Sequence, residues 1–198
     1  TGTYEHEAAS QVYNELQPGS YVFMDADYAR NKRADGGLFD RFEHALFIYA
    51  SVMSAPVPER RVVDAGLKAV AIDSGMPLPW QLPGAVYLRP SDEHGNLDVA
   101  ACARAPGRGD KVLLVPGHCD PTVNLHDWYV GVRGLGGAGA RVGFLRNFDR
   151  VLPLLARTVD DRVARDGVEP GGRRPSLGLV APRRAPHGGE GLLRCILG

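Results

Sequence analysis

Cysteine and long apolar runs are both scarce in this sequence of 198 residues. The three cysteines, Cys102, Cys119 and Cys195, are an odd number and form no CxxC pair. They therefore argue against a disulfide framework and favour a reducing compartment. No run approaches the ~18 apolar residues of a membrane-spanning helix. Because no secretory leader opens the sequence either, we expect a cytoplasmic protein that does not contact a membrane.

Net charge is also absent, since 23 basic residues balance 23 acidic ones, but the charges are unevenly distributed. Residues 1–132 carry 11 basic and 17 acidic residues, whereas residues 133–198 carry 12 arginines, no lysine and six acids. Arginine, glycine and proline make up 30 of the last 66 residues, a composition that rarely builds a packed face. We therefore expect a folded domain over 1–132 and a poorly structured tail over 133–198. Apolar spacing predicts a helix over 148–163, which Pro153 interrupts.

The spacing of turn-forming residues in the first 132 residues is typical of an all-β protein. Short runs rich in β-branched and aromatic residues alternate with Gly, Pro and Asp turn signals. The predicted strands cover 21–24, 61–63, 69–72, 85–88, 112–115 and 128–130. The apolar run over 45–53 fits a buried helix or a buried strand, and the prolines Pro56 and Pro58 that follow favour a strand. Many short strands predict an antiparallel barrel or a sandwich-like domain.

Residues whose side chains can bind a metal or take part in catalysis cluster in the segment PGHCDPTVN at 116–124. In an extended backbone, positions two apart point to the same side, so His118 and Asp120 can reach one point while Cys119 faces away. An imidazole and a carboxylate suit a divalent ion such as Mn²⁺, Zn²⁺ or Mg²⁺. The alternative is a plain loop in which Asp120, just before Pro121, forms an Asx-type turn.

Three other patterns are weaker. His94 lies in a polar turn and becomes a third ligand, or a partner that orients a ligand, only if its strand abuts the His118 loop. Asp25 and Asp27 fall on one face of a predicted strand end, where acids are typically solvated or turn-forming. The glycines over 134–139 match GxGxxG, but no suitable helix and second strand follow them, so a dinucleotide site is not favoured.

Five ordered motifs together closely resemble the C-terminal part of the D-threonine aldolase and D-serine dehydratase-like family. They are TGTYE at 1–5, LQPGSYVFMDADY at 16–28, VDAGLK at 63–68, SDEHG at 91–95 and PGHCDPTVN at 116–124. Proteins of this family look like alanine racemase: an N-terminal (β/α)₈ barrel carries pyridoxal phosphate on a lysine, and a β domain closes the active site with a divalent metal. The resemblance implies metal ligands at His118 and Asp120 and phosphate contacts at Gly2 and Thr3.

The second ligand of the HxD pair separates the branches of this family. The dehydratase branch resembles HxC, which suits zinc, whereas the aldolase branch resembles HxD, whose carboxylate favours harder ions, commonly manganese. Asp120 therefore implies a lyase dependent on pyridoxal phosphate and metal that cleaves D-β-hydroxy-α-amino acids, such as D-threonine, to glycine and an aldehyde. No general base can be assigned. The alternative within the family is a D-serine dehydratase-like lyase.

Two departures qualify the resemblance. The sequence opens inside what resembles the end of the barrel, so we expect most of the barrel and its lysine to be absent and the isolated chain to be inactive. The tail does not resemble the closing strand of the family, and a reading-frame change explains it better than an added segment. A binding module whose basic tail contacts nucleic acid is the competing hypothesis, although the tail lacks lysine and interleaved aromatics. The expected partners are a small D-amino acid and, in the full-length enzyme, a second copy.

Overall fold

The computed structural model describes residues 3–33, 35–133, 141–146 and 193–197. These residues form nine strands, two short α-helices and two 3₁₀ turns. The strands are β1 (Leu46–Val57), β2 (Arg60–Val63), β3 (Leu78–Pro79), β4 (Val86–Pro90), β5 (Gly95–Asp98), β6 (Lys111–Val115), β7 (Trp128–Arg133), β8 (Arg141–Arg146) and β9 (Leu193–Leu197). The helices are α1 (Tyr4–Ala9) and α2 (Cys119–Val123), and the 3₁₀ turns are Ser20–Val22 and Tyr28–Arg30.

The sheet is mainly antiparallel and forms a nearly closed barrel. Its order is β4-β5-β2-β1-β9-β7-β8, while β6 pairs with both β1 and β3. All these pairings are antiparallel except that between β1 and β9. The predicted mainly β, antiparallel barrel is therefore confirmed. The strand over the ambiguous run 45–53 is confirmed as well, because β1 covers most of it.

Strand β1 shows why this sequence forms a half-buried strand. Successive side chains point to opposite faces, and the even-numbered positions from Leu46 to Val52 are all buried. Tyr49 and Met53 on the other face are exposed, whereas Phe47 is buried against Trp80. The main core collects the inward residues of β1, β2, β5 and β6, including Leu46, Ile48, Val63, Leu97 and Leu114. This core supports the end of β6 from which the 116–124 segment departs.

Two of the predicted strands are wrong. The segment 21–24 is not a strand, because Ser20–Val22 is a 3₁₀ turn and Met24 takes a positive φ of 54°. Residues 69–72 form no strand either, since the amides of Ala69 and Val70 both bond back to the Gly66 carbonyl in a turn. In both places, local turn hydrogen bonds outweigh the strand preference of the side chains.

Two segments beyond residue 132 belong to the sheet. Strand β8 pairs with β7, and β9 lies between β1 and β7. The helix predicted over 148–163 and the GxGxxG run at 134–139 lie outside the described residues. Among the residues that the structure describes, no helix is both long and apolar enough to cross a bilayer.

Candidate metal centre

Three segments far apart in sequence meet beside the carboxyl end of β6: 24–30, 73–76 and 116–120. The amide of Ala26 donates to the Pro116 carbonyl at 3.0 Å, and the amide of Asp27 donates to the Gly117 carbonyl at 3.1 Å. A Cβ added at Gly117 would lie 2.0 Å from the carbonyl oxygen of Gly75. Glycine at 117 therefore lets two backbone segments approach more closely than any side chain would allow.

His118 stands at the junction between this loop and helix α2. It has extended backbone angles, φ −145° and ψ 128°, and is the N-cap of α2. The predicted extended backbone over 118–120 is therefore wrong beyond His118, because Cys119 and Asp120 are already helical. Pro121 is tolerated in this first turn, where its missing amide costs no helical hydrogen bond. Thr122, which is fully buried, donates its hydroxyl to the His118 carbonyl at 2.7 Å.

The turn of helix nevertheless keeps the two predicted metal ligands close together. The Nε2 atom of His118 lies 3.9 Å from Oδ2 of Asp120. The Asp120 side chain is 76% exposed, whereas that of His118 is 26% exposed. Cys119, between them, is buried and directs its Sγ to the Met24 carbonyl at 3.4 Å. Burial, with nearby Asp25 and Asp120, raises the pKa of the Cys119 thiol and keeps it protonated.

Asp73 contacts the other nitrogen of the His118 ring. Nδ1 of His118 lies 2.6 Å from Oδ2 of Asp73, and the hydroxyl of Ser74 lies 3.4 Å from the same nitrogen. The hydrogen bond to Asp73 raises the pKa of His118, and the same bond lowers the pKa of Asp73. In the sequence, Asp73 lies in an Asp-Ser-Gly run that is typical of a turn. The 45 positions that separate it from His118 left no local pattern that could have revealed the contact.

Asp25 fixes the start of α2 from inside the protein. Its carboxylate is fully buried, with Oδ2 accepting from the Cys119 amide at 2.9 Å and Oδ1 accepting from the Tyr28 amide at 2.8 Å. Asp27, which the sequence placed on the same face, is instead exposed and paired with Arg30. A buried carboxylate that accepts backbone amides tolerates its desolvation far better than an unpaired one. Asp25 therefore anchors the loop that carries His118.

The donor set fits one divalent ion. Bonds from an imidazole nitrogen and a carboxylate oxygen to such an ion are about 2.0–2.2 Å long, so atoms 3.9 Å apart can share it. The remaining coordination positions would face solvent on the exposed side of Asp120. Within the described ranges, no group of three or more His, Cys, Asp and Glu side chains could hold a metal. His94 is thus not brought into the site as a third ligand.

The predicted cofactor contacts are at the beginning of the chain. Gly2 lies outside the described residues. Thr3 is exposed, precedes α1 and donates its hydroxyl to Oε1 of Glu7 at 2.9 Å. The phosphate-binding role of Gly2 and Thr3 therefore stays a prediction.

Fold and site together define a β domain of the antiparallel barrel type with a candidate two-ligand metal centre on its loops. Comparison with known proteins makes this class more specific. Residues 45–132 match the sequence model of a family described as a putative serine dehydratase domain. A 3-hydroxy-D-aspartate aldolase from Paracoccus denitrificans is 53% identical over 136 residues, which cover 67% of this chain and 34% of the relative.

Two D-threonine aldolases are similar to this chain to nearly the same extent as the 3-hydroxy-D-aspartate aldolase. The enzyme from Arthrobacter sp. is 50% identical over 133 residues, again 67% of this chain and 34% of the relative. The crystal structure of D-threonine aldolase from Filomicrobium marinum superposes with a TM-score of 0.68 at 49% identity, covering 76% of this chain and 40% of that one. The chain thus spans about a third of the length of the curated relatives it matches. Residues 45–132 are thus similar to the putative serine dehydratase domain family, and the chain resembles the C-terminal part of D-threonine aldolase-like proteins.

Proposed function

We propose that this chain supplies the metal-binding β domain of a lyase that uses pyridoxal phosphate and a divalent metal to cleave D-β-hydroxy-α-amino acids to glycine and an aldehyde. The observation that carries the proposal is the pair His118 and Asp120, 3.9 Å apart, in a domain about half identical to two aldolases. The substrate would be a small D-amino acid such as D-threonine or 3-hydroxy-D-aspartate.

Each residue of the site has a role in this proposal. His118 and Asp120 would hold the ion through one nitrogen and one oxygen, and the carboxylate favours manganese over softer metals. When bound, the ion would supply Lewis acidity towards the β-hydroxyl of the substrate, and pyridoxal phosphate would supply an electron sink for cleavage of the Cα–Cβ bond. The exposed side of Asp120 leaves room for that hydroxyl. Asp25 and the close contact at Gly117 would hold the His118 loop in place.

The chain alone is expected to be inactive. It spans about a third of the length of its curated aldolase relatives. The family resemblance implies that the cofactor-bearing lysine belongs to a barrel outside the matched motifs. Purified chain with pyridoxal phosphate and Mn²⁺ should therefore release no acetaldehyde from D-threonine. Turnover by the chain alone would contradict this part of the proposal. We also propose that the complete enzyme is a homodimer and that it binds neither membranes nor nucleic acids.

A chimera tests the activity. The 133-residue matching part of the Arthrobacter D-threonine aldolase is replaced by the corresponding part of this chain. We expect the chimera to release acetaldehyde from D-threonine with Mn²⁺ and to lose this activity with a chelator. Asp120→Ala and His118→Ala should abolish the metal-dependent cleavage while leaving the absorbance of the bound cofactor in place. Asp120→Cys should shift the preference towards zinc.

The products that the chimera releases also distinguish an aldolase from a dehydratase, the alternative that the name of the matching family model favours. A dehydratase would release pyruvate from D-serine and little acetaldehyde from D-threonine. That outcome would overturn the aldolase proposal. Full metal-dependent activity in both alanine variants would instead overturn the assignment of the metal ligands.

A further inference from the structure

We infer that Asp73 is a positioning residue, which fixes the tautomer and orientation of the His118 ring so that Nε2 is presented to a divalent cation. The inference rests on the proposed metal site. It concerns a residue that belongs to neither HxD nor any other expected ligand set. Its basis is the 2.6 Å contact between Oδ2 of Asp73 and Nδ1 of His118.

A neutral imidazole carries its proton on either of its two nitrogens, and only the nitrogen without the proton can bind a metal. A carboxylate accepts hydrogen bonds and cannot donate them. The contact with Asp73 therefore places the proton of the neutral ring on Nδ1 of His118. The lone pair then stays on Nε2, the nitrogen that lies 3.9 Å from Oδ2 of Asp120.

The turn that carries Asp73 is held on two sides. The Gly75 amide donates to the Ile72 carbonyl at 3.1 Å, and Nη2 of Arg30 donates to the Ser74 carbonyl at 2.6 Å. The Gly75 carbonyl also lies so close to Gly117 that a Cβ added at Gly117 would overlap it. Gly75 has a φ of 126°, which favours glycine. Asp73 is thus part of a turn that contacts the His118 loop directly, rather than a long side chain that reaches it by chance.

The simpler alternative is that Asp73 forms only a surface ion pair with His118. Its side chain is 50% exposed, and such pairs typically add little to stability. The two interpretations differ in what Asp73→Ala changes. Loss of a surface pair would leave the tautomer and the metal affinity unchanged, whereas loss of a positioning residue would alter both. Partners that orient a metal-bound histidine typically change metal affinity by 10- to 100-fold when they are removed.

The experiment uses the whole 198-residue chain with ¹⁵N-labelled histidine. Long-range ¹H–¹⁵N NMR at a pH where the ring is neutral identifies the tautomer of His118, whose signals are assigned by their loss in His118→Ala. Mn²⁺ binding is measured by water proton relaxation. In the unsubstituted chain we expect the tautomer protonated on Nδ1. Asp73→Ala should move the proton towards Nε2 and weaken Mn²⁺ binding by 10- to 100-fold.

Matched variants separate geometry from charge. Asp73→Asn can still accept from Nδ1 and should keep part of the tautomer preference and part of the affinity. Asp110→Ala removes an exposed carboxylate that precedes β6, at the end away from the site, and should change Mn²⁺ affinity less than twofold. Ser74→Ala removes the 3.4 Å contact to Nδ1 and should also have little effect.

The outcomes distinguish this inference from the proposed function. If His118→Ala and Asp120→Ala abolish Mn²⁺ binding but Asp73→Ala leaves both tautomer and affinity unchanged, the positioning role is overturned and the metal site stands. If none of the three variants changes Mn²⁺ binding, the metal site and the inference both fail. Where binding is too weak for titration, the tautomer decides: an unchanged Nδ1 proton in Asp73→Ala overturns the inference.

Discussion

The centre of the sheet and the loops around His118 are held together by different means. In the centre, the inward residues of β1, β2, β5 and β6 are almost fully buried and contact one another in a shared apolar cluster. Around His118, single polar contacts join residues 45 and 94 positions apart, and Asp120 is largely exposed. Many small apolar contacts thus stabilise the domain, whereas a few directional contacts place the chemistry.

The largest loss of stability should come from the centre of the sheet. Leu114 is fully buried on β6, opposite Ile48 of β1. Leu114→Ala should lower the free energy of unfolding by about 2–5 kcal/mol, because it removes apolar contacts and leaves a cavity. Denaturant titration measures the loss. A change below about 1 kcal/mol would mean that this core does not carry the stability of the domain.

The next largest effect should come from Asp25, where the two regions meet. Asp25→Ala leaves the buried amide of Cys119 and the partly buried amide of Tyr28 without their acceptor and should cost about 2–3 kcal/mol of unfolding free energy. Asp27→Ala is the matched control, since it removes only an exposed ion pair with Arg30 and should cost less than about 1 kcal/mol. Equal losses in the two variants would refute the anchoring role of Asp25.

A smaller, pH-dependent effect should come from Tyr87 in the core. Its hydroxyl donates to the Ala65 carbonyl at 2.7 Å, and burial raises its pKa from 10.0 to about 12. Since the folded protein holds this proton more tightly than the unfolded chain, its stabilising effect is complete below about pH 10 and is lost as the pH rises through 12. Denaturant titrations between pH 9 and pH 12 should show this fall in the free energy of unfolding, and the part of the fall that is due to Tyr87 should be missing in Tyr87→Phe. An unchanged pH dependence of the unfolding free energy in Tyr87→Phe would disprove the assignment.

The smallest effect on stability should come from Asp120, in the loop region. Its side chain is 76% exposed, so Asp120→Ala should change the free energy of unfolding by no more than about 0.5 kcal/mol. The same variant should lose Mn²⁺ binding. A large loss of stability would show that Asp120 supports the fold rather than the site.

The sequence predicted the centre of the sheet better than the site. Runs of β-branched and aromatic residues predicted most of β4 and β6, and for β1 the prolines that follow an ambiguous apolar run favoured a strand. The HxD spacing predicted that His118 and Asp120 lie together, although the backbone between them is the start of a helix and not a strand. Asp25 was expected to be solvated or turn-forming, and its buried contact with Cys119 was missed, as was the contact of Asp73 with His118, because these partners lie 94 and 45 positions away and such contacts leave no local pattern.

Mn²⁺ titration of the whole chain, followed by NMR, tests whether His118 and Asp120 hold a divalent metal ion. Bound Mn²⁺ broadens the signals of nearby nuclei. If they do, we expect broadening centred on residues 117–121 and 73–74 in the unsubstituted chain, and its loss in both His118→Ala and Asp120→Ala. The same broadening in a variant that carries both substitutions, or broadening centred elsewhere, would contradict this metal site.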